Sequence, residues 1–153
     1  MKIIFIAVQC IVALNAFAAD VSAPAPPTLN ELMSSARQAI ERKGWSRAQY
    51  DLKIAVRDEP NNADAHNLLA YTYRKQAQPD LIKAFEHYKI ALKLDPQHRG
   101  AHEYIGEAYL MDGKPEQAER HLAALEKVCG NRQCEEYLDL AQALANYRKT
   151  TPR

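Results

Sequence analysis

What this chain has little of narrows its chemistry early. Glycine is sparse, at five residues in 153, and nowhere gathers into a loop of the kind that cradles phosphates. No serine stands in a nucleophile elbow, and no pair of acids sits in a recognisable catalytic setting. An enzyme is therefore not expected, nor a bound cofactor. Charge of one sign is missing too: 20 Lys and Arg face 19 Asp and Glu. Without a single-sign field the chain has no means of drawing in nucleic acid or an anionic membrane surface. No apolar run reaches the roughly 20 residues that cross a bilayer as a helix. No strand-like alternation is long enough to compete with helical periodicity, so the expected fold class is all-α.

What is present begins with a leader. Lys2 is followed by a nearly unbroken apolar stretch over residues 3–14, then by Ala16-Phe17-Ala18, which puts small residues where a signal peptidase reads them. The expected signal peptide is residues 1–18, cut after Ala18. Cys10 does not mark a lipoprotein, because Gln9 stands before it where a small residue is needed. Cleavage removes Lys2 and Cys10, brings the formal charge to zero, and leaves no membrane-inserted segment. The expected location is the periplasm or the outside of the cell. Residues 19–28 are rich in Pro and Ala and read as an extended spacer.

Helical periodicity takes over at Thr28. Thr28 and Glu31 have capping-box spacing, and the first helix is predicted to run to about Lys43 and stop on a left-handed Gly44. Ser46 and Gln49 suggest a second capping box, with Trp45 and Tyr50 as its hydrophobic staple. Further helices are predicted over residues 63–76, 80–94, 99–111, 115–128 and 133–148. Ala48, Ala84 and Ala118 recur on a beat of about 34 residues. Each is followed by an apolar pair (Leu52 and Ala55, Tyr88 and Ala91, Leu122 and Leu125) and then by a helix stop at Pro60, Pro96 or Gly130. A helix pair this short cannot bury its own apolar face and must stack on a copy of itself.

Aligned on those stops, one unit reads Leu69-Ala70, Tyr73, Ala84, Tyr88, Ala91, Pro96, and the next Ile105-Gly106, Tyr109, Ala118, Leu122, Leu125. This pattern resembles the tetratricopeptide repeat. The first unit departs from it, with Ser35, Ala36 and Ala39 where Leu, Gly and Tyr are usual, and the second carries two extra residues placed in loop 76–79. The resemblance implies an α-solenoid of three repeats, residues 29–62, 63–98 and 99–132. A last helix within residues 133–153 would cap the stack, with Tyr137, Leu140, Ala141, Leu144 and Tyr147 turned inward and Glu135, Glu136 and Asp139 outward. The link through Cys129 and the run Cys134-Glu-Glu-Tyr-x-x-Leu are also similar to those of short exported bacterial repeat proteins.

Cys129 and Cys134 have four residues between them, not the two of a thioredoxin-like motif, and a structural disulfide is the favoured reading in an oxidising compartment. A thiol redox role is the alternative. His98 and His102 stand one helical turn apart, a two-histidine spacing, but no His-Glu-x-x-His surrounds them and no third ligand is signalled. His66 and His102 fall on equivalent positions and read as packing residues, so no metal site is assigned. The resemblance turns the first helix of each repeat toward a concave groove. The groove residues it implies are Met33, Arg37 and Ile40, then Asn67, Tyr71, Arg74 and Lys75, then Glu103, Glu107 and Met111. Some members of the family clamp the C-terminal carboxylate of a partner; Glu103 and Glu107 would repel one here. The expected function is binding of a peptide or protein surface in this groove. Self-association through the last helix, giving a homodimer or an organised complex, is the alternative.

Overall fold

The computed structural model describes residues 25–151. The expected leader and residues 19–24 of the spacer lie outside them. Among the described residues there are seven helices and no strand: α1 (Leu29–Glu41), α2 (Trp45–Asp58), α3 (Ala63–Lys75), α4 (Leu81–Leu94), α5 (Arg99–Met111), α6 (Pro115–Cys129) and α7 (Glu135–Thr150). None of them is long and apolar enough to cross a membrane.

Three hairpins, α1/α2, α3/α4 and α5/α6, stack through α2 on α3 and α4 on α5. The first helices also meet directly, α3 against α5 and α5 against α7, so α1, α3, α5 and α7 line one side of the stack. Small residues make this possible: Ala48, Ala84 and Ala118 have no exposed surface at all, each sitting where paired helices come closest. Leu52, Leu69, Tyr88 and Ile105 fill the core that the stacking closes.

The same hydrogen bond ties each hairpin. Gly44 N–H donates to the Ala39 carbonyl at 2.7 Å, Asp80 N–H to Tyr73 at 3.0 Å, and Lys114 N–H to Tyr109 at 2.8 Å. The two extra residues of the middle repeat are accommodated between Tyr73 and Asp80, ahead of α4. Thr28 caps α1 in a capping box with Glu31, as its spacing predicts.

At the α1–α2 turn the structure corrects the sequence. The left-handed residue is Lys43 (φ 57°), not Gly44 (φ −80°). Gly44 is instead the N-cap of α2, and a Cβ there would lie 3.3 Å from the Ala39 carbonyl oxygen. Glycine is thus kept for a close approach of backbone to backbone, and the strained conformation falls on its neighbour. Because α2 already begins at Trp45, Ser46 and Gln49 lie inside the helix and form no capping box, and Tyr50 points to solvent instead of stapling to Trp45.

The first repeat balances its unusual Ser35 with a buried carboxylate. Asp51, 1 % exposed, accepts from Ser35 Oγ at 2.7 Å and from Arg47 Nε at 2.9 Å. At the other end α7 closes the stack. Leu140 and Leu144 are buried, and Tyr137 and Tyr147 partly buried, against Leu110, Ala118 and Leu125, so α7 caps the stack with its apolar stripe turned inward. Gly106 is what lets α7 in, since a Cβ on it would stand 2.6 and 2.7 Å from the Leu140 methyls. Glu136, expected to face outward, is half-buried and reaches Arg99 at 3.6 Å. The Cys129–Cys134 disulfide joins the end of α6 to the N-cap of α7.

Candidate functional site

The inner face formed by α1, α3, α5 and α7 carries the expected binding residues, and the structure sorts them into different roles. Arg74, Lys75, Glu107 and Met111 come together in one groove of about 430 Å³, completed by Leu110 and by Ala143, Asn146, Tyr147 and Thr150 of α7. Met33 and Arg37 border a second hollow of about 370 Å³ between α1 and α3. Ile40 packs on the core. Asn67, Tyr71 and Glu103 line neither hollow and stand on the facing helices α3 and α5. The contribution of α7 was not among the expected residues; its repeat spacing breaks after Gly130, so nothing local aligns Tyr147 with the groove.

Arg74 is the largest difference. Expected in the groove as a partner-facing cation beside Arg37 and Lys75, it has only 4 % of its surface exposed. Its guanidinium pairs with Glu107 at 2.6 Å, donates to the Tyr88 hydroxyl at 3.3 Å, and lies over the rings of Tyr71 and Tyr104 at 5.3 and 5.5 Å. Burial in turn pushes the Tyr88 hydroxyl well above the usual phenol range and that of Tyr104 up to about 12. Arg74 is therefore a clamp between α3, α4 and α5. The charges left to face a partner are Lys75, which is exposed, and Arg37, loosely matched to Asp64 at 3.8 Å.

A row of rings accompanies this clamp. Trp45 meets Tyr71 edge-on at 6.2 Å, and Tyr71 meets Tyr104 at 4.8 Å. Glu103, 8 % exposed, stands beside the row without a cation of its own. Burial, with the charges of Glu107 and Asp139 adding to it, pushes its carboxyl up to about 8.

The histidines serve packing, in a way the linear sequence hides. His66 Nδ1 faces His87 Nδ1 at 3.0 Å while its Nε2–H donates to the Pro60 carbonyl at 3.0 Å. One repeat later His102 does the same with His121 (2.9 Å) and Pro96 (3.0 Å). With Nε2 carrying the proton on His66 and His102, their Nδ1 must accept, so His87 and His121 donate. Tyr73 and Tyr109 stack on the outer ring of each pair. Burial and the neighbouring His102 hold His121 down at about 4, and burial lowers His87 likewise. His98 and His102 do not converge: His98 Nδ1 accepts from Ala101 N–H at the start of α5 and its Nε2 bonds Asp64. Cys129, Cys134 and Glu136 lie close enough to share a metal ion, but the two sulfurs are bonded to each other and offer no thiolate.

Comparison with known proteins places this architecture. Residues 52–84 match the family model "Tetratricopeptide repeat". No curated protein sequence matches the chain. Among solved structures, the TPR2B domain of yeast Sti1, determined in complex with pHsp70, superposes with a TM-score of 0.71 at 14 % identity, over 80 % of this chain and 98 % of that one. The type III secretion translocator chaperone SycD of Yersinia enterocolitica gives 0.71 at 15 % identity, over 84 % and 98 %. A thermophilic tetratricopeptide repeat protein of Thermus thermophilus gives 0.69 at 21 % identity, over 84 % and 68 %. The chain thus carries a tetratricopeptide repeat, and its described residues have the α-solenoid fold of tetratricopeptide repeat proteins.

Proposed function

We propose that this protein is a non-catalytic interaction module that holds a peptide or protein surface of a partner on its inner face, in the periplasm or outside the cell. The observation that carries the reading is the groove between α3, α5 and α7. It offers the apolar side chains Leu110, Met111 and Tyr147 next to the exposed Lys75, on helices already fixed by stacking and by the Arg74 clamp. A preformed face of this kind loses little ordering entropy on binding, so a few anchors suffice for affinity. The fold is shared with a chaperone and with a domain determined in complex with another protein, which fits a task of holding segments of other chains. An exported location rests on the leader reading of residues 1–18 and fits the Cys129–Cys134 bond, since disulfides persist in oxidising compartments.

Affinity capture from an envelope extract tests this. The bait is the wild-type protein beside a Lys75→Glu, Met111→Glu variant, both positions being exposed and neither side chain taking part in an ion pair or hydrogen bond among the described residues. A partner retained by the first and lost by the second, with unchanged circular dichroism, is the expected result. Equal capture by both would move the binding surface away from this groove.

A further inference from the structure

Two polar groups on the inner face are nine-tenths buried and have no partner. Glu103 of α5 is 8 % exposed and, among the described residues, takes part in no ion pair or hydrogen bond. Asn67 holds the matching position one repeat earlier, on α3. It is 5 % exposed, and its Oδ1 is buried without a donor. Its side chain reaches α5 one turn before Glu103, with Nδ2 lying 3.4 Å from where a Cβ on Gly100 would stand. A buried acceptor left unpaired costs about 1–3 kcal/mol, and a carboxylate more. Of the two, Asn67 Oδ1 is closed off and bears that cost, while the Glu103 carboxyl, on an enclosed side chain, still reaches the surface of the inner face and lacks a cation there.

The surroundings say what kind of donor. The contact of Gly106 with Leu140 presses α5 against α7. Glu103, one turn before Gly106, is thereby set near Asp139 and Glu136, which precede Leu140. The nearby cations are already engaged: Arg74 with Glu107 and Tyr88, Arg99 with Glu136. This wall of the inner face therefore has acceptors and negative charge in surplus, bordered by the rings of Tyr71 and Tyr104.

Resting on the groove-binding reading above, we propose that the segment received by the inner face presents a lysine or arginine side chain to Glu103, with Asp139 beside it as the second acceptor. A proton balance follows. Burial, reinforced by Glu107 and Asp139, keeps the Glu103 carboxyl protonated near neutral pH, at about 8. The arriving cation displaces that proton to solvent. Binding then releases a proton at neutral pH, and affinity falls about tenfold for each unit of pH below 8 and levels off above it.

The test is selection of a displayed library of randomised peptides on the full protein, followed by calorimetry of the selected peptides in two buffers of different ionisation enthalpy. The expected outcome is enrichment of one basic residue and release of a proton at pH 7. The Glu103→Gln variant should be as stable as wild type but bind at least tenfold more weakly, with no proton release. Basic peptides that bind Glu103→Gln undiminished would overturn the proposal. So would enrichment of acidic or purely apolar peptides whose binding is lost in Lys75→Glu, Met111→Glu; that result would leave the groove-binding reading standing. Failure to enrich any peptide over that double variant would end both.

Discussion

Replacing Arg74 with alanine separates the role the structure gives this residue from the one its position suggests. The guanidinium is 4 % exposed and serves four neighbours, Glu107, Tyr88, Tyr71 and Tyr104. Removing it leaves the Tyr88 hydroxyl, on a residue with no exposed surface, without its partner, at a cost of about 1–2 kcal/mol. Glu107 loses its ion pair but is a quarter exposed, so water recovers part of that bond and about 1 kcal/mol remains. The contacts over Tyr71 and Tyr104 add about 1 kcal/mol together. The total is about 3 kcal/mol, or a fall in Tm of roughly 10 °C for a domain of this size. Urea unfolding followed by circular dichroism measures it, with Lys75→Ala, expected within about 0.5 kcal/mol of wild type, as the control. Tyr88→Phe should cost much less in an Arg74→Met background than alone, because both partners are then gone. An Arg74→Ala protein as stable as wild type would refute the clamp and return this residue to the partner-binding surface.

Gly106→Ala should destabilise by about 1–2 kcal/mol in thermal melts, because overpacking against the buried Leu140 outweighs the gain of up to about 1 kcal/mol in helix propensity. Hydrogen exchange should show the loss concentrated in α7. Lys43→Gly should stabilise by about 1 kcal/mol in urea unfolding, since Lys43 holds the left-handed conformation that Gly113 takes at the matching turn of the third repeat. His121, at about 4 in the folded protein and near 6.5 when unfolded, binds its proton more readily in the unfolded chain. Its contribution is therefore complete above about pH 6.5 and is lost as pH falls toward 4, about 2 kcal/mol by pH 4.5. A His121→Leu variant should flatten that part of the stability profile.

The helices were legible because their signals are local: Thr28 with Glu31, Pro115 at a first turn, Gly130 past a last one, and alanine on a fixed beat. The α1–α2 turn was misread because Ser46 and Gln49 carry capping-box spacing by coincidence, one residue after the helix has begun. What decides Gly44 is the Ala39 carbonyl across the turn, which local spacing does not reveal. The site was legible as a set of positions but not as a set of roles. Whether Arg74 faces solvent or Tyr88 depends on the packing of α4, and the His66–His87 and His102–His121 pairs join residues of different helices. Glu103 was legible as a groove acid that repels a carboxylate; its enclosure, which the approach of α7 brings about, was not.

The central claim is that the inner face, not the outer, holds the partner. A photo-crosslinking amino acid placed at Met111, in the groove and 49 % exposed, is compared with one at Ile82 on α4, 84 % exposed and outside it. Irradiated in an envelope extract, the Met111 derivative should yield a discrete crosslinked partner and the Ile82 derivative none. Equal crosslinking from both positions, or a partner captured from Ile82 alone, would contradict the account.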